Sequence, residues 1–203
     1  ISLSKVKTVV LDEADRMLDM GFEPQIKDIL NNYDIAPKNA RQNVMFSATF
    51  EKKVITIAKR FLNDFYFIGN PEQSFTVNKN IQQELIECRP FDKLEVIVNL
   101  LHEYKDSNVI VFCNKKHDCD ALENDLRSNK FNAFAMHGDK EQYEREKIIK
   151  SFSTNNGNVL IATDVAARGM DFPNIGLVIN HEVPADLDSY IHRIGRTGRK
   201  GLA

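Results

Sequence analysis

The run Val109-Ile110-Val111-Phe112 is apolar at every position, and valine and isoleucine both favour the extended backbone of a β-strand. A strand that is apolar on both faces is typical of a parallel sheet covered by helices on each side. A second apolar run, Thr8-Val9-Val10-Leu11, occurs near the start of the printed sequence. These two runs predict an α/β fold built on parallel sheets, with strands buried on both faces.

Short β-branched runs alternate with amphipathic stretches along most of the chain. In residues 93–104, for example, apolar residues recur at the i, i+3, i+4, i+7 spacing of one buried helix face. The same reasoning predicts helices at 23–31, 52–61, 93–104, 117–129, 141–152 and 187–194. The predicted strands are 8–11, 43–46, 65–68, 81–88, 109–112, 133–136, 159–162 and 177–180. Strands separated by helices of this length indicate βαβ units.

The alternating pattern breaks at residues 71–80, where turn-forming and polar residues replace it. We therefore predict a linker at 71–80 between two α/β domains, at 1–70 and 81–203. The three strands predicted for the first domain are too few to bury both faces of a doubly wound sheet. We expect the first domain to be the C-terminal part of a larger one, and the second to be nearly complete but truncated at its end.

Charge, hydropathy and cysteine content narrow the function classes. The formal net charge of −2 excludes a blanket positive field, so any contact with nucleic acid must use a few placed groups. No apolar run approaches the roughly 20 residues that cross a membrane, and we expect a cytoplasmic location. Cys113, His117 and Cys119 match no usual zinc spacing, which favours reduced thiols.

Polar motifs follow the first two predicted strands. Asp12-Glu13-Ala14-Asp15 comes directly after 8–11, and ligands of open α/β sheets bind beyond the carboxyl ends of the strands. An acidic pair there can hold Mg²⁺ and orient a water for attack on a phosphate, or it can simply suit a helix N-terminus. Ser47-Ala48-Thr49 follows 43–46, and its hydroxyls can bind a neighbouring loop or cap a helix.

Two strand ends of the second domain carry residues suited to a nucleic-acid backbone. Gly138, after 133–136, permits close approach, and Arg145 on the next helix can bind a phosphate. A solvated helix face is the alternative for that region. After 159–162, Thr163 and Gly169 offer donors to a phosphate, and Asp171 can accept from a ribose hydroxyl.

The string His192-Arg193-Ile194-Gly195-Arg196-Thr197-Gly198-Arg199 interleaves arginines with glycines. This pattern predicts a positively charged loop that plays no part in the hydrophobic core. Guanidinium groups delivered across a cleft stabilise the charge on a transferring phosphoryl group, which is the arginine-finger role. A basic surface patch for nucleic acid is the alternative.

The order of these strings resembles the DEAD-box RNA helicases of superfamily 2, over nearly the whole chain. The matching strings are DEAD at 12–15, SAT at 47–49, HGD at 137–139, ATDVAARGMD at 162–171 and HRIGRTGR at 192–199. The string RMLDMGFEPQI at 16–26 is most similar to the Vasa and Ded-type branch. The resemblance implies two RecA-like domains that close on ATP, Mg²⁺ and single-stranded RNA and unwind short duplexes or remodel RNPs with little sequence preference. Protein regulators, but no membrane, are the further partners it implies, and RNP granules or the nucleus are the locations it suggests as alternatives to the cytoplasm.

The resemblance also implies roles for individual residues. Asp12 and Glu13 would hold Mg²⁺ and orient the attacking water during hydrolysis. Arg196 and Arg199 would be the arginine fingers. Those that would contact other parts of the nucleotide site are Asp15 and Asp171. Those that would couple the ATP state to RNA binding are Ser47, Thr49 and His192. Those that would lie along the RNA backbone are Gly138, Arg145, Thr163 and Gly169.

Two features depart from the family pattern. His181-Glu182 stands where the family usually has an aromatic residue followed by Asp, which bears on the tuning of inter-domain coupling. No G-x-x-x-x-G-K-[ST] string occurs, so the phosphate-binding loop of the family is missing from this chain. We expect a fragment of a complete helicase that is inactive alone. The alternatives are a short protein that binds RNA without hydrolysing ATP, and a DNA helicase of the wider superfamily.

Overall fold

The computed structural model describes residues 2–47, 52–69, 80–154, 158–167, 170, 172 and 174–198. The chain divides into two compact units, Ile1–Thr76 and Val77–Ala203. Most of the predicted linker at 71–80 lies outside the described residues, so its boundaries stay a prediction. Within the described ranges, no helix combines the length and the apolar character needed to span a membrane.

Unit 1, as far as it is described, holds a small parallel sheet and three helices. Strand β1 (Thr8–Leu11) pairs in parallel with β2 (Gln42–Met45). The helices are α1 (Ala14–Asp19), α2 (Glu23–Asn32) and α3 (Lys52–Phe61). A short 3-10 turn, Lys38–Ala40, precedes β2. Leu11, Ala14 and Phe61 form the buried core of this unit, so α1 and α3 both pack on the end of β1.

Unit 2 is a four-stranded parallel sheet with helices on both faces. Its strands are β3 (Asn108–Phe112), β4 (Asn132–Met136), β5 (Asn158–Ala162) and β6 (Ile175–Asn180), in the order β4-β5-β3-β6. Its helices are α4 (Lys93–Glu103), α5 (Lys116–Ser128), α6 (Gln142–Thr154), α7 (Asp164–Ala167) and α8 (Leu187–Ile194). A 3-10 turn, Pro90–Asp92, leads into α4.

The two faces of the unit 2 sheet bury separate apolar clusters. One face packs on α4 and α5 through residues such as Leu101 and Leu126, and the other packs on α6 through Phe152. Every residue of β3 and β5 is buried. The predicted α/β fold with parallel sheets is therefore confirmed. Burial on both faces does not extend to β1, where Val10 is 50% exposed.

Two predicted strands are wrong. Residues 65–68 and 81–88 are described, but neither segment pairs with a strand. Tyr66 and Ile68 are each 94% exposed. The β-branched and aromatic pattern reports a local preference, whereas a strand also needs a neighbour that pairs its backbone groups. Helices α1 and α7, with 6 and 4 residues, are too short to show a helical period and were not predicted.

The parallel registers align the carboxyl ends of the strands. Phe112 at the end of β3 is in register with Ala162 of β5 and with Asn180 of β6, and Met136 of β4 is in register with Ala162. In unit 1, Leu11 is in register with Met45. The polar motifs that follow these strands therefore lie at one edge of each sheet.

Candidate functional site

The acidic segment after β1 divides its residues between solvent and core. Asp12 is exposed and Glu13 is half-buried, whereas Ala14 and Asp15 are 2% and 4% exposed. Glu13 has φ 50° and ψ 49°, a left-handed conformation that costs a residue with a side chain about 1–2 kcal/mol. This turn redirects the chain from β1 into α1. The strand end thus presents two carboxylates while the next two residues are held inside.

Hydrogen bonds fasten this segment to the end of β2. The backbone N–H of Asp15 donates to Ser47 Oγ at 3.2 Å, and that of Ala14 donates to the carbonyl of Phe46 at 2.9 Å. The backbone N–H of Glu13 donates to Asp12 Oδ1 at 3.0 Å. The Ser47 side chain is therefore in direct contact with the acidic segment. Thr49 lies outside the described residues.

Arg193 is the centre of a buried polar network in unit 2 and is 1% exposed. Its Nε and Nη2 donate to the two carboxylate oxygens of Asp164 at 2.7 and 2.8 Å. Nη2 also donates to Asn114 Oδ1 at 2.7 Å. Nη1 donates to Asn180 Oδ1 at 3.2 Å and to the carbonyl of Glu182 at 2.9 Å. One guanidinium therefore joins residues that follow, or end, three neighbouring strands.

This network corrects the prediction that the arginine string serves no core. The Arg193 guanidinium also lies 5.2 Å from the centre of the Phe112 ring, which adds a cation–π contact. A buried guanidinium is tolerated only when its donors are paired, and these donors are. Sequence reasoning missed Asn114 and Asp164 as its partners. Their position directly after strands was the available signal.

Two other members of the arginine string, His192 and Arg196, lie nearer the surface than Arg193. Arg196 is half-buried and its Nη1 donates to the carbonyl of Met170 at 2.8 Å. His192, in the last turn of α8, is also half-buried. Gly198 has φ 68°, which a glycine adopts without strain. Arg199 lies outside the described residues.

The turn after β4 is held by a charged cluster. His137 is 4% exposed, and its Nε2 lies 2.9 Å from Asp120 Oδ1, which also accepts from Lys140 Nζ at 3.0 Å. Burial raises the pKa of Asp120, but the hydrogen bonds to His137 and Lys140 outweigh it and hold that pKa below its usual value. These contacts fix the turn and leave Gly138 exposed at its tip.

The remaining predicted backbone-binding residues follow β5 or lie on α6. Thr163 is 9% exposed, and its N–H donates to the carbonyl of Met136 at 3.2 Å, so it adjoins the end of β4. Arg145 is half-buried, and its Nε is buried with no hydrogen-bond partner in the part of the chain that the structure describes. Gly169 and Asp171 lie outside the described residues.

Two family models match the chain. The DEAD/DEAH box helicase model matches residues 1–57, and the helicase conserved C-terminal domain matches residues 92–201. The matches fall in different units and include the acidic segment after β1 and the arginine string after β6.

Solved structures are similar over almost the whole chain. S. cerevisiae Dbp5 bound to RNA and ADP BeF3 is 33% identical with a TM-score of 0.84, covering 99% of this chain and 52% of that one. A Dbp5 variant bound to a Gle1 variant and IP6 is 33% identical, with a TM-score of 0.75 and coverages of 99% and 51%. A DEAD box protein from the hyperthermophile Methanococcus jannaschii is 38% identical, with a TM-score of 0.56 and coverages of 99% and 53%.

The chain spans about half the length of these solved chains. Its two units carry the parallel-sheet α/β fold of RecA-like helicase domains, and both family models that match it describe helicase domains. The chain belongs to the DEAD-box RNA helicase family.

Proposed function

We propose that the complete protein is an ATP-dependent RNA helicase that couples hydrolysis to local unwinding of RNA duplexes or to RNP remodelling. The observation that carries this proposal is the division of the acidic segment after β1. Two accessible carboxylates stand at a strand end, and Ala14 and Asp15 behind them are buried and hydrogen-bonded to β2 and Ser47. The similarity to Dbp5 bound to RNA and ADP BeF3 supports it.

Hydrolysis rests on Asp12 and Glu13. Mg²⁺ prefers oxygen ligands and is usually held by one or two carboxylates together with substrate phosphates, so these residues fit it. When bound, Mg²⁺ neutralises charge on the phosphates. Glu13 orients the attacking water. Its left-handed backbone fixes the direction in which its side chain leaves the main chain. Asp15, buried behind them, links the segment to the rest of the nucleotide site.

Arg196 acts as an arginine finger. Its attachment to the carbonyl of Met170 holds the side chain while leaving it half-exposed, as a group that meets a phosphoryl oxygen requires. Arg199, three residues on, is the second finger, and Asp171 approaches the ribose. The last two assignments rest on the motifs alone.

RNA binds along the carboxyl edge of the unit 2 sheet through its sugar–phosphate backbone. Gly138 and Thr163 follow the paired strands β4 and β5, with the Thr163 N–H bonded to the Met136 carbonyl, and Gly169 follows Thr163 in the chain. Arg145, half-buried on α6, offers its guanidinium to a phosphate. Backbone contacts carry no sequence information, which predicts binding with little sequence preference.

Ser47, Thr49 and His192 couple the nucleotide state to RNA binding. The contact between Ser47 Oγ and the Asp15 N–H supports this role, because a shift at the end of β1 would move the loop after β2. We further propose that the protein belongs to the Vasa and Ded-type branch, on the string at 16–26, and that it acts in the cytoplasm with protein regulators.

Phosphate release by the complete protein tests the proposal. We expect release to be stimulated by single-stranded RNA more than by DNA, and to be lost in Glu13→Gln with RNA binding retained. Glu23→Gln, on α2 and paired with Lys27, is the matched control and should keep full activity. The 203-residue chain alone should show no turnover, because it lacks the phosphate-binding loop.

Two outcomes would favour the alternatives. RNA binding without any stimulated hydrolysis in the complete protein would indicate an RNA-binding protein. Equal stimulation by RNA and DNA would indicate a DNA helicase of the wider superfamily.

A further inference from the structure

Strands β3 and β6 end side by side and bring together three residues of different ligand chemistry. Phe112 is in register with Asn180, and the N–H of His181 donates to the carbonyl of Phe112 at 2.9 Å. The next residues are therefore neighbours. A thiol, an imidazole nitrogen and a carboxylate oxygen, from Cys113, His181 and Glu182, all lie within 4.8 Å of one another.

We propose that Cys113, His181 and Glu182 form a binding site for a divalent cation of the Zn²⁺ type. Mixed sulfur, nitrogen and oxygen ligands suit Zn²⁺ and exclude Mg²⁺, which prefers oxygen alone. Bonds of about 2.0–2.3 Å in a tetrahedron would separate the ligand atoms by roughly 3.3–3.8 Å. The Cys113 sulfur must therefore approach the other two ligand atoms by up to about 1 Å. His181 Nδ1 and Glu182 Oε1, which are in hydrogen-bond contact, must instead move apart to admit the ion, and a water takes the fourth position.

This trio differs from the one that the cysteine spacing suggested. Cys113 and Cys119 are both fully buried, but the His117 side chain is 75% exposed and pairs with Asp118. The two residues that complete the cluster are His181 and Glu182, the pair that departs from the family pattern. The site therefore belongs to this chain and not to the nucleotide chemistry of the family.

Surrounding groups orient the ligands. The Asn114 N–H donates to Glu182 Oε2 at 3.0 Å, which leaves Oε1 facing His181 Nδ1. Lys93 Nζ donates to the carbonyl of His181 at 2.9 Å and fixes the backbone there. Such outer contacts hold metal ligands in place in known sites.

Other polar and charged groups pack around the Cys113 thiol. It hydrogen-bonds with Cys119, and the carboxylates of Glu182 and Asp118 lie near it. Lys93 Nζ, 3.9 Å from Glu182 Oε1, is the opposing positive charge on α4.

Co²⁺ provides a direct probe on the 203-residue chain, because a Co²⁺–thiolate bond gives a charge-transfer band that carboxylate ligands do not. We expect one thiolate-bound Co²⁺ per chain, with a charge-transfer band that Zn²⁺ removes by competition. Cys113→Ser should abolish the band, and Glu182→Gln and His181→Phe should weaken binding by about tenfold or more. Cys88→Ser, in a half-buried cysteine outside the cluster, is the matched control and should keep the band.

The wild-type measurement decides the proposal without relying on any variant's folding. No thiolate band in the wild-type chain would overturn it. A band that persists in Cys113→Ser, or that disappears in Cys88→Ser, would overturn it as well. Co²⁺ bound only at Asp12 and Glu13 would give no thiolate band. The experiment can therefore contradict this metal site without contradicting the proposed helicase function.

Discussion

Both units carry charged side chains at the carboxyl ends of their strands, but these side chains differ in solvent exposure and in pairing. After β1, Asp12 and Glu13 remain accessible to solvent. After β6, Arg193 is 1% exposed, and its donors are paired with Asp164, Asn114 and other acceptors of its own unit. An accessible carboxylate can bind a ligand, whereas a fully paired guanidinium has no donor left for one, and its removal leaves buried acceptors unpaired. Position at a sheet edge therefore does not decide a role; the pairing of the polar atoms does.

The same contrast exists within one string. Arg193 and Arg196 are three residues apart, but only Arg193 is buried. We therefore expect substitution of Arg196 to affect rate and substitution of Arg193 to affect stability.

Arg196→Ala in the complete protein should show the largest effect. We expect kcat for ATP hydrolysis to fall by roughly 10³-fold or more, the size of an arginine-finger contribution, with thermal unfolding nearly unchanged. Phosphate release at saturating ATP and RNA measures this, with the exposed Arg89→Ala as control. Loss of RNA affinity with hydrolysis intact would instead indicate a basic RNA-binding patch.

Arg193→Met should destabilise unit 2 by about 3–5 kcal/mol, because it leaves the Asp164 carboxylate and two amide oxygens without their donor. Urea unfolding of the chain measures the change. When Arg193→Met is introduced into the Asp164→Asn variant, the further loss of unfolding free energy should be smaller than in wild type, because the two residues act as one pair. A loss below about 1 kcal/mol would contradict a stabilising role for the network.

Ser47→Ala with Thr49→Ala should have a smaller effect, confined to coupling. Removing the acceptor of the Asp15 N–H costs about 1 kcal/mol of stability, and we expect hydrolysis to persist while unwinding falls. Parallel assays of phosphate release and duplex unwinding by the complete protein measure the two activities. Equal losses in both would contradict the coupling role.

Asp120→Asn should have the smallest effect and depend on pH. The folded state holds the pKa of Asp120 below its ordinary value of about 3.9, so the folded chain binds fewer protons than the unfolded chain in that window. The resulting stability is present above the ordinary pKa and is lost as pH falls through the folded one. Because its side chain is 45% exposed, we expect a few tenths of a kcal/mol at most.

Urea midpoints of wild type and Asp120→Asn at about pH 7 and about pH 3 measure this difference. The gap between the two proteins should narrow at the lower pH. A gap that widens there would show that the sign is wrong.

Sequence reasoning was most accurate where local pattern and tertiary burial agree. Helices α3 and α8 have the predicted bounds. The segments at 65–68 and 81–88 have similar composition, but pairing partners decide whether such a segment becomes a strand. The strand-end positions of Asp12, Ser47, Gly138 and Thr163 could be predicted because parallel strands align their carboxyl ends.

The role of Arg193 could not be predicted in the same way. Arginine among glycines and other arginines indicates a solvent-facing loop, and its partners Asn114, Asp164 and Asn180 are 79, 29 and 13 residues away in the chain. The spacing within the string gives no information about these contacts. Burial of Arg193 can be recognised only from the tertiary structure, in which three strand ends lie side by side.

The left-handed backbone at Glu13 limits which substitutions this position can accept. Glycine, asparagine and aspartate adopt that conformation at low cost, but each lacks a carboxylate or carries it on a shorter stem. Glutamine keeps the length and loses the charge. Every replacement that fits the left-handed backbone therefore changes the length or the charge of the side chain. We expect this position to tolerate mutation less than its solvent exposure suggests.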